Sequence, residues 1–168
     1  MCIRDRGEAA AYSPVSRATR EPIAPLLKTT WDQGAPYNNM CPPLNGRQTV
    51  TGCVATAMAQ VMYYHKWPES FNALFNYTWT AGNANLSWSQ RNQVLDWANM
   101  LPTYHNVEYT SGEGNAVATL MKACGYAVNM NYNVSSAGGS SAQSILVPRV
   151  LANLFKYDKG AYNAYRPF

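Results

Sequence analysis

The chain has 168 residues, a formal net charge of +4 and an ordinary apolar content of 47%, the size of one domain with a real core. Its thirteen Lys and Arg residues are scattered, with no basic helix and no aromatic-plus-arginine motif, so nucleic acid is not an expected partner. No apolar run approaches the ~20 residues of a membrane-spanning helix, so no membrane partner is expected either.

The opening MCIRDR matches nothing around it and reads as a cloning or assembly scar. Residues 7 to 22 read as a polar linker without the apolar stretch of a signal peptide, and the fold is expected to begin near Ile23. Residues 31 to 46, WDQGAPYNNMCPPLNG, are rich in Gly, Pro and Asn and predict an ordered loop. The pattern then changes. Val54, Ala57, Met58, Val61, Met62 and His65 follow helical spacing, which predicts a helix over 53 to 66 with one buried stripe. Thr51 is the expected N-cap, and Trp67-Pro68 the expected stop. Residues 70 to 88 alternate aromatic and polar residues around AGNAN, as a hairpin or a long loop would. A second helix is expected at about 90 to 100 with Val94, Leu95, Trp97 and Met100. A third is expected near 114 to 124, ended by Gly125 as the C′ residue. YAVNMNY, 126 to 132, predicts a short strand. SSAGGSS, 135 to 141, reads as a flexible or ligand-facing loop. Pro148 suits the first position of a fourth helix with Leu151, Leu154 and Phe155 inward.

The four cysteines, Cys2, Cys41, Cys53 and Cys124, lack the paired spacing of a zinc site, so no metal is expected. A Cys41–Cys124 bridge is compatible with an oxidising compartment. Cys53 is different, because it opens a helix. There, unpaired N–H groups and the positive end of the helix dipole face the sulfur and favour the nucleophilic thiolate. Gly52 beside it is expected to leave room for a substrate backbone, and the Cys53 N–H to donate to a developing oxyanion. Taken alone, a cysteine at a helix start is more often structural than catalytic. A base must stand within hydrogen-bond reach, about 3 Å. His65 lies twelve residues along the same helix, roughly 18 Å away at ~1.5 Å per residue, so it reads as a core or helix-end ring. His105, the other histidine, reads as a loop residue.

TGCVATAMAQVMYYHKWP resembles the active-site helix of the streptopain-type (streptococcal pyrogenic exotoxin B-like), papain-like cysteine peptidases. WDQGAPYNNMCP, WANMLPTY, CGYAVNMNYNVSSAGGSS and VPRVLANLFKYD resemble further elements of that family, so the likeness covers about Ile23 to Tyr157. It implies an α+β papain-like fold, represented by its helical, nucleophile-bearing half. Carried over residue by residue, it implies Cys53 as nucleophile and Gln33 as the side chain completing the oxyanion hole. It also implies Ser136, with Gly52, at the substrate-binding surface. No cofactor is implied. Protein or peptide substrates, a secreted or cell-surface location and the enzyme's own propeptide as inhibitor are. Residues 1 to 22 would then be scar and propeptide-like linker, and 23 to 168 the N-terminal part of the peptidase domain.

One departure matters. The family's catalytic histidine follows a glycine in a later strand, with Asn and Trp residues beyond it, and nothing after Tyr157 matches them. The expectation is a nucleophile without its base, inactive as it stands. The rival reading is a non-catalytic binding or inhibitory module that keeps the half-fold. Retention of both Cys53 and Gln33 weighs against it.

Overall fold

The computed structural model describes residues 24–160; the scar and linker expected over 1 to 22 lie outside them. In chain order the elements are helix α1 (Cys53–His65), strands β1 (Ser70–Trp79) and β2 (Ala84–Val94), helix α2 (Ser111–Ala127) and helix α3 (Val147–Asn153). Short 3-10 turns sit at 97–99, 135–137 and 144–146. This is the expected α+β mixture: helices packed beside one two-stranded antiparallel sheet.

α2 is the centre. Thr110 and Glu113 form a reciprocal capping box at its start, satisfying two backbone donors that would otherwise be orphaned. Beyond it, Val117, Ala118, Leu120, Met121, Ala123 and Cys124 are all buried. α1 packs on α2 through small residues, Ala55 and Ala59, which let the backbones approach, and through Met62, whose sulfur accepts from the Cys124 thiol at 3.6 Å. The thiols of Cys41 and Cys124 are both free and buried, so the bridge considered between them is not formed.

The hairpin pairs Ser70 with Val94 and Trp79 with Ala84, with an irregularity between Phe71 and Ala73. This pairing overturns the helix expected over 90 to 100. The backbone of 90–94 is committed to β1, and only a 3-10 turn at 97–99 remains, tied by Asp96 accepting from the Asn99 side chain at 2.7 Å. One face of the hairpin lays Phe75, Tyr77 and Trp88 over Tyr126 of α2, with Phe71 packed against Trp88.

α2 also runs past its expected end. Gly125 is not a cap but a point of close approach, since a β-carbon there would collide with the Tyr132 hydroxyl. The strand expected over 126 to 132 is consequently not a strand. Its alternation is real, because Val128, Met130 and Tyr132 are buried. Its carbonyls, however, are satisfied by side chains of β1: Tyr77 donates to Met130 at 2.9 Å and Trp79 to Tyr132 at 2.8 Å. A single bridge, Asn131 with Ser141, takes the place of a ladder. α3 begins with Pro148 in its first turn. Of the three residues expected inward, only Phe155 is fully buried, against Phe71 at a 5.2 Å ring separation, while Leu151 and Leu154 are half-buried.

Candidate active site

Three loop segments meet where α1 starts. The first, 31–34, is anchored by Trp31, whose ring lies 4.9 Å from that of Tyr63 and whose N–H donates to the Leu101 carbonyl at 2.9 Å. The Gln33 carbonyl accepts from Thr51 N at 3.2 Å. The second segment, 49–52, is held by Thr49 Oγ1 donating to Pro42 O at 2.7 Å and by the Asn38 amide donating to Thr49 O at 2.7 Å. The third, 133–140, closes on the second. Val50 N donates to Asn133 O at 3.1 Å, and the Ser140 hydroxyl donates to Val50 O at 2.6 Å while accepting from Asn133 N at 2.8 Å. The segment leading into Cys53 is therefore held by backbone and side-chain hydrogen bonds from distant parts of the chain.

Gly52 is the N-cap, with φ 86° and ψ 140°. That left-handed φ favours glycine, and a β-carbon there would lie 2.7 Å from the Met130 sulfur. Gly52 is buried, and on the side where a β-carbon would sit it meets Met130 and Ser140. Thr51 is not the cap either. Its hydroxyl faces that of Thr56 at 2.9 Å, and no side chain caps α1. An uncapped first turn leaves its leading N–H groups without a side-chain partner.

A cleft of about 830 Å³ is lined by Trp31, Asp32, Gln33, Cys53 and Gln60, with Ser135, Gly138 and Gly139 on the loop side. Cys53 is exposed, unlike Cys41 and Cys124. Burial pushes the Cys41 thiol up to about 12 against a smaller opposing pull from Lys122, and burial also raises Cys124. Those two are packing groups, and Cys53 is the thiol open to solvent among the described residues. Gln33 is half-buried, and among the described residues its side-chain amide has no hydrogen-bond partner, so its donors are available to the cleft.

Ser136 stands apart from this group. It is exposed, its hydroxyl accepts from Arg47 at 3.1 Å, and its neighbours Ser135, Gly138 and Gly139 line the cleft instead. The two histidines are both placed, and neither lines it. His65 is exposed at the far end of α1, its ring edge-on to Tyr64 and Tyr157. His105 lines a different cleft with Thr30 and Tyr37. No cluster of three or more metal-ligating side chains occurs among the described residues.

Sequence reasoning did not find the second feature at Cys53. An apolar cleft of about 480 Å³, lined by Val54, Ala57, Met58 and Val61 of α1 with Val147 and Leu151 of α3, also reaches this cysteine. The signal was present, because Val54, Ala57 and Val61 were expected to be buried in the chain's own core.

Compared with known proteins, residues 31–166 match the model of the peptidase C10 family. The chain is 34% identical to the thiol protease/hemagglutinin PrtT of Porphyromonas gingivalis, over 95% of this chain and 20% of that protein. It is 32% identical to streptopain of Streptococcus pyogenes, over 88% of this chain and 42% of that protein. Among solved structures it resembles active interpain A, a cysteine protease of Prevotella intermedia. There the TM-score is 0.70 and the identity 39%, covering 78% of this chain and 54% of that one. A prointerpain A fragment from the same organism matches at TM-score 0.70 and 38% identity, covering 77% and 42%. The chain thus spans less than half the length of the two sequence relatives, and the described fold is that of part of a papain-like cysteine protease.

Proposed function

The chain belongs to the peptidase C10 family, and from that membership we propose that it is the nucleophile-bearing part of a cysteine endopeptidase, with Cys53 as nucleophile and Gln33 as oxyanion donor. One observation carries the reading: an exposed cysteine at an uncapped helix start shares a cleft with an unpartnered glutamine amide. In this mechanism Cys53 Sγ attacks the scissile carbonyl. The oxyanion is met by the Cys53 N–H and the Gln33 side chain, preorganised donors that contribute several kcal/mol, ~3 each in favourable cases. A base takes the thiol proton and returns it to the leaving amine, and water then releases the acyl group.

Neither histidine of this chain lines the cleft, so the base comes from polypeptide outside this sequence, and the 168-residue chain alone hydrolyses no peptide at a useful rate. The apolar cleft of α1 and α3, which begins at Cys53, is the face that such polypeptide would cover. Protein or peptide substrates follow from the same reading. An extracellular or cell-surface location and inhibition by a propeptide belong to it too, the latter supported by the likeness to a prointerpain fragment. Ser136 would act through the loop it belongs to, with Arg47 holding that loop, rather than by touching substrate. Gly52 would position Cys53.

The test is to express the gene's complete reading frame and assay casein hydrolysis. The expected result is hydrolysis that Cys53→Ala lowers by at least about 1,000-fold. Hydrolysis untouched by that substitution would overturn the assignment, and a folded, complete product with no hydrolysis would favour the binding-module reading.

A further inference from the structure

Asp32 lines the cleft around Cys53, and it also lines a second cleft of about 380 Å³ with Thr30, Tyr37, Tyr104 and His105. Asp32 is the one residue that lines both. The second contains none of the residues 135–139.

Asp32 is the one carboxylate or full cation lining either cleft among the described residues; the remaining lining side chains are apolar, amide, hydroxyl, thiol or imidazole. Its carboxylate is held in place, Oδ1 accepting from Gly34 N at 2.6 Å. Among the described residues no Lys or Arg pairs with it. Tyr37 adds no second charge, since a phenol is neutral at pH 7 and burial, helped by Asp32, pushes this one up further to about 12. The wall beside the carboxylate is aromatic, Tyr37 against Tyr104 at 5.4 Å between ring centroids. An oriented, unpaired carboxylate beside aromatic faces suits an alkyl stem that ends in a cation.

Resting on the peptidase reading above, we propose that Asp32 is a specificity-determining residue that favours polypeptides carrying a Lys or Arg side chain beside the scissile bond. The chain as a whole carries +4, so its overall field attracts anions. A preference for cations at Cys53 must therefore arise from a group close to it.

The experiment needs no proteolysis. The 168-residue chain is treated with two methanethiosulfonates of equal size, one ending in trimethylammonium and one in sulfonate, and the rate of modification at Cys53 is read by peptide mapping. In each case the Cys53 thiolate attacks the sulfenyl sulfur, a mixed disulfide forms and methanesulfinate leaves with the electron pair. The readout is the cation-to-anion rate ratio at low ionic strength. Asp32→Asn keeps an oxygen for Gly34 N and removes the charge; Asp32→Glu keeps the charge. The expected result is a ratio about fivefold higher in the unaltered chain than in D32N, as suits a solvent-exposed carboxylate. The ratio should be retained in D32E and lost at high salt. An equal ratio in D32N and the unaltered chain overturns the proposal. Failure of the peptidase reading would show elsewhere, as casein hydrolysis indifferent to Cys53→Ala, which this ratio does not measure.

Discussion

The two long faces of α1 are nearly equal in apolar character and opposite in fate. One carries Ala55, Ala59 and Met62, each 0% exposed against α2. The other carries Val54, Ala57, Val61 and Tyr64, with Val61 38% and Tyr64 48% exposed. Apolar spacing shows that a helix has a face to bury, and only the surrounding chain decides whether that face finds a partner. The bare face begins at Cys53, so whatever covers it would lie beside the proposed chemistry. A protein that spans 42% of streptopain and 54% of interpain A is expected to have such a surface.

The contrast can be broken by substitution. The largest effect falls on the packed face: Met62→Ala, at 0% exposure, costs about 3 kcal/mol in urea unfolding. Next comes the joint between the faces. Gly52→Ala costs about 2 kcal/mol, since its φ of 86° disfavours alanine and its neighbour Met130 must move.

The packed side also has a pH signature. Burial raises the Cys41 thiol from an ordinary 9.0 to about 12 and raises Cys124 as well. A raised acid favours its neutral form in the folded state. Stability from these thiols is therefore full below pH 9 and is lost as pH rises through about 12. The urea midpoint should fall from pH 8 to pH 10, and an unchanged midpoint would mean that the thiols are not buried as described.

A smaller effect concerns α2, the partner of the packed face. Thr110→Ala removes the capping box and costs about 1 kcal/mol by thermal unfolding. The smallest belongs to the open face, where Val61→Lys should change the stability of this chain by no more than about 0.5 kcal/mol. A cost comparable to that of Met62→Ala would show that the open face is covered in this chain after all.

Legibility followed the same division. α1 could be read almost to the residue, because a thirteen-residue run of small and apolar residues has one period. Which of its sides is buried could not be read, since that depends on polypeptide elsewhere. The hairpin was legible around AGNAN, but its second strand was cut short. Val94, Leu95 and Trp97 mimic helical spacing, and only the long-range pairing of Ser70 with Val94 arbitrates. The start of α2 was carried by Thr110 and Glu113, a T-x-x-E signal that the search for apolar periodicity passed over. Residues 128 to 132 show the limit most clearly. Their alternation was read as a strand, but their carbonyls bond to Tyr77 and Trp79, some fifty residues away, and no local pattern encodes that. At the site, the roles proposed for Cys53 and Gln33 rest on family likeness, and both residues line one cleft. The Ser136 hydroxyl accepts from Arg47, a contact between residues 89 apart in sequence that no local pattern encodes.

The most direct measurement is casein hydrolysis by the purified, folded 168-residue chain, compared with its Cys53→Ala variant. No difference between them is expected, because the proposed nucleophile and oxyanion donor line a cleft that neither histidine lines. Cleavage that depends on Cys53 would contradict that, since a group within this chain would then have to reach the thiol, and His105 would be the first to re-examine.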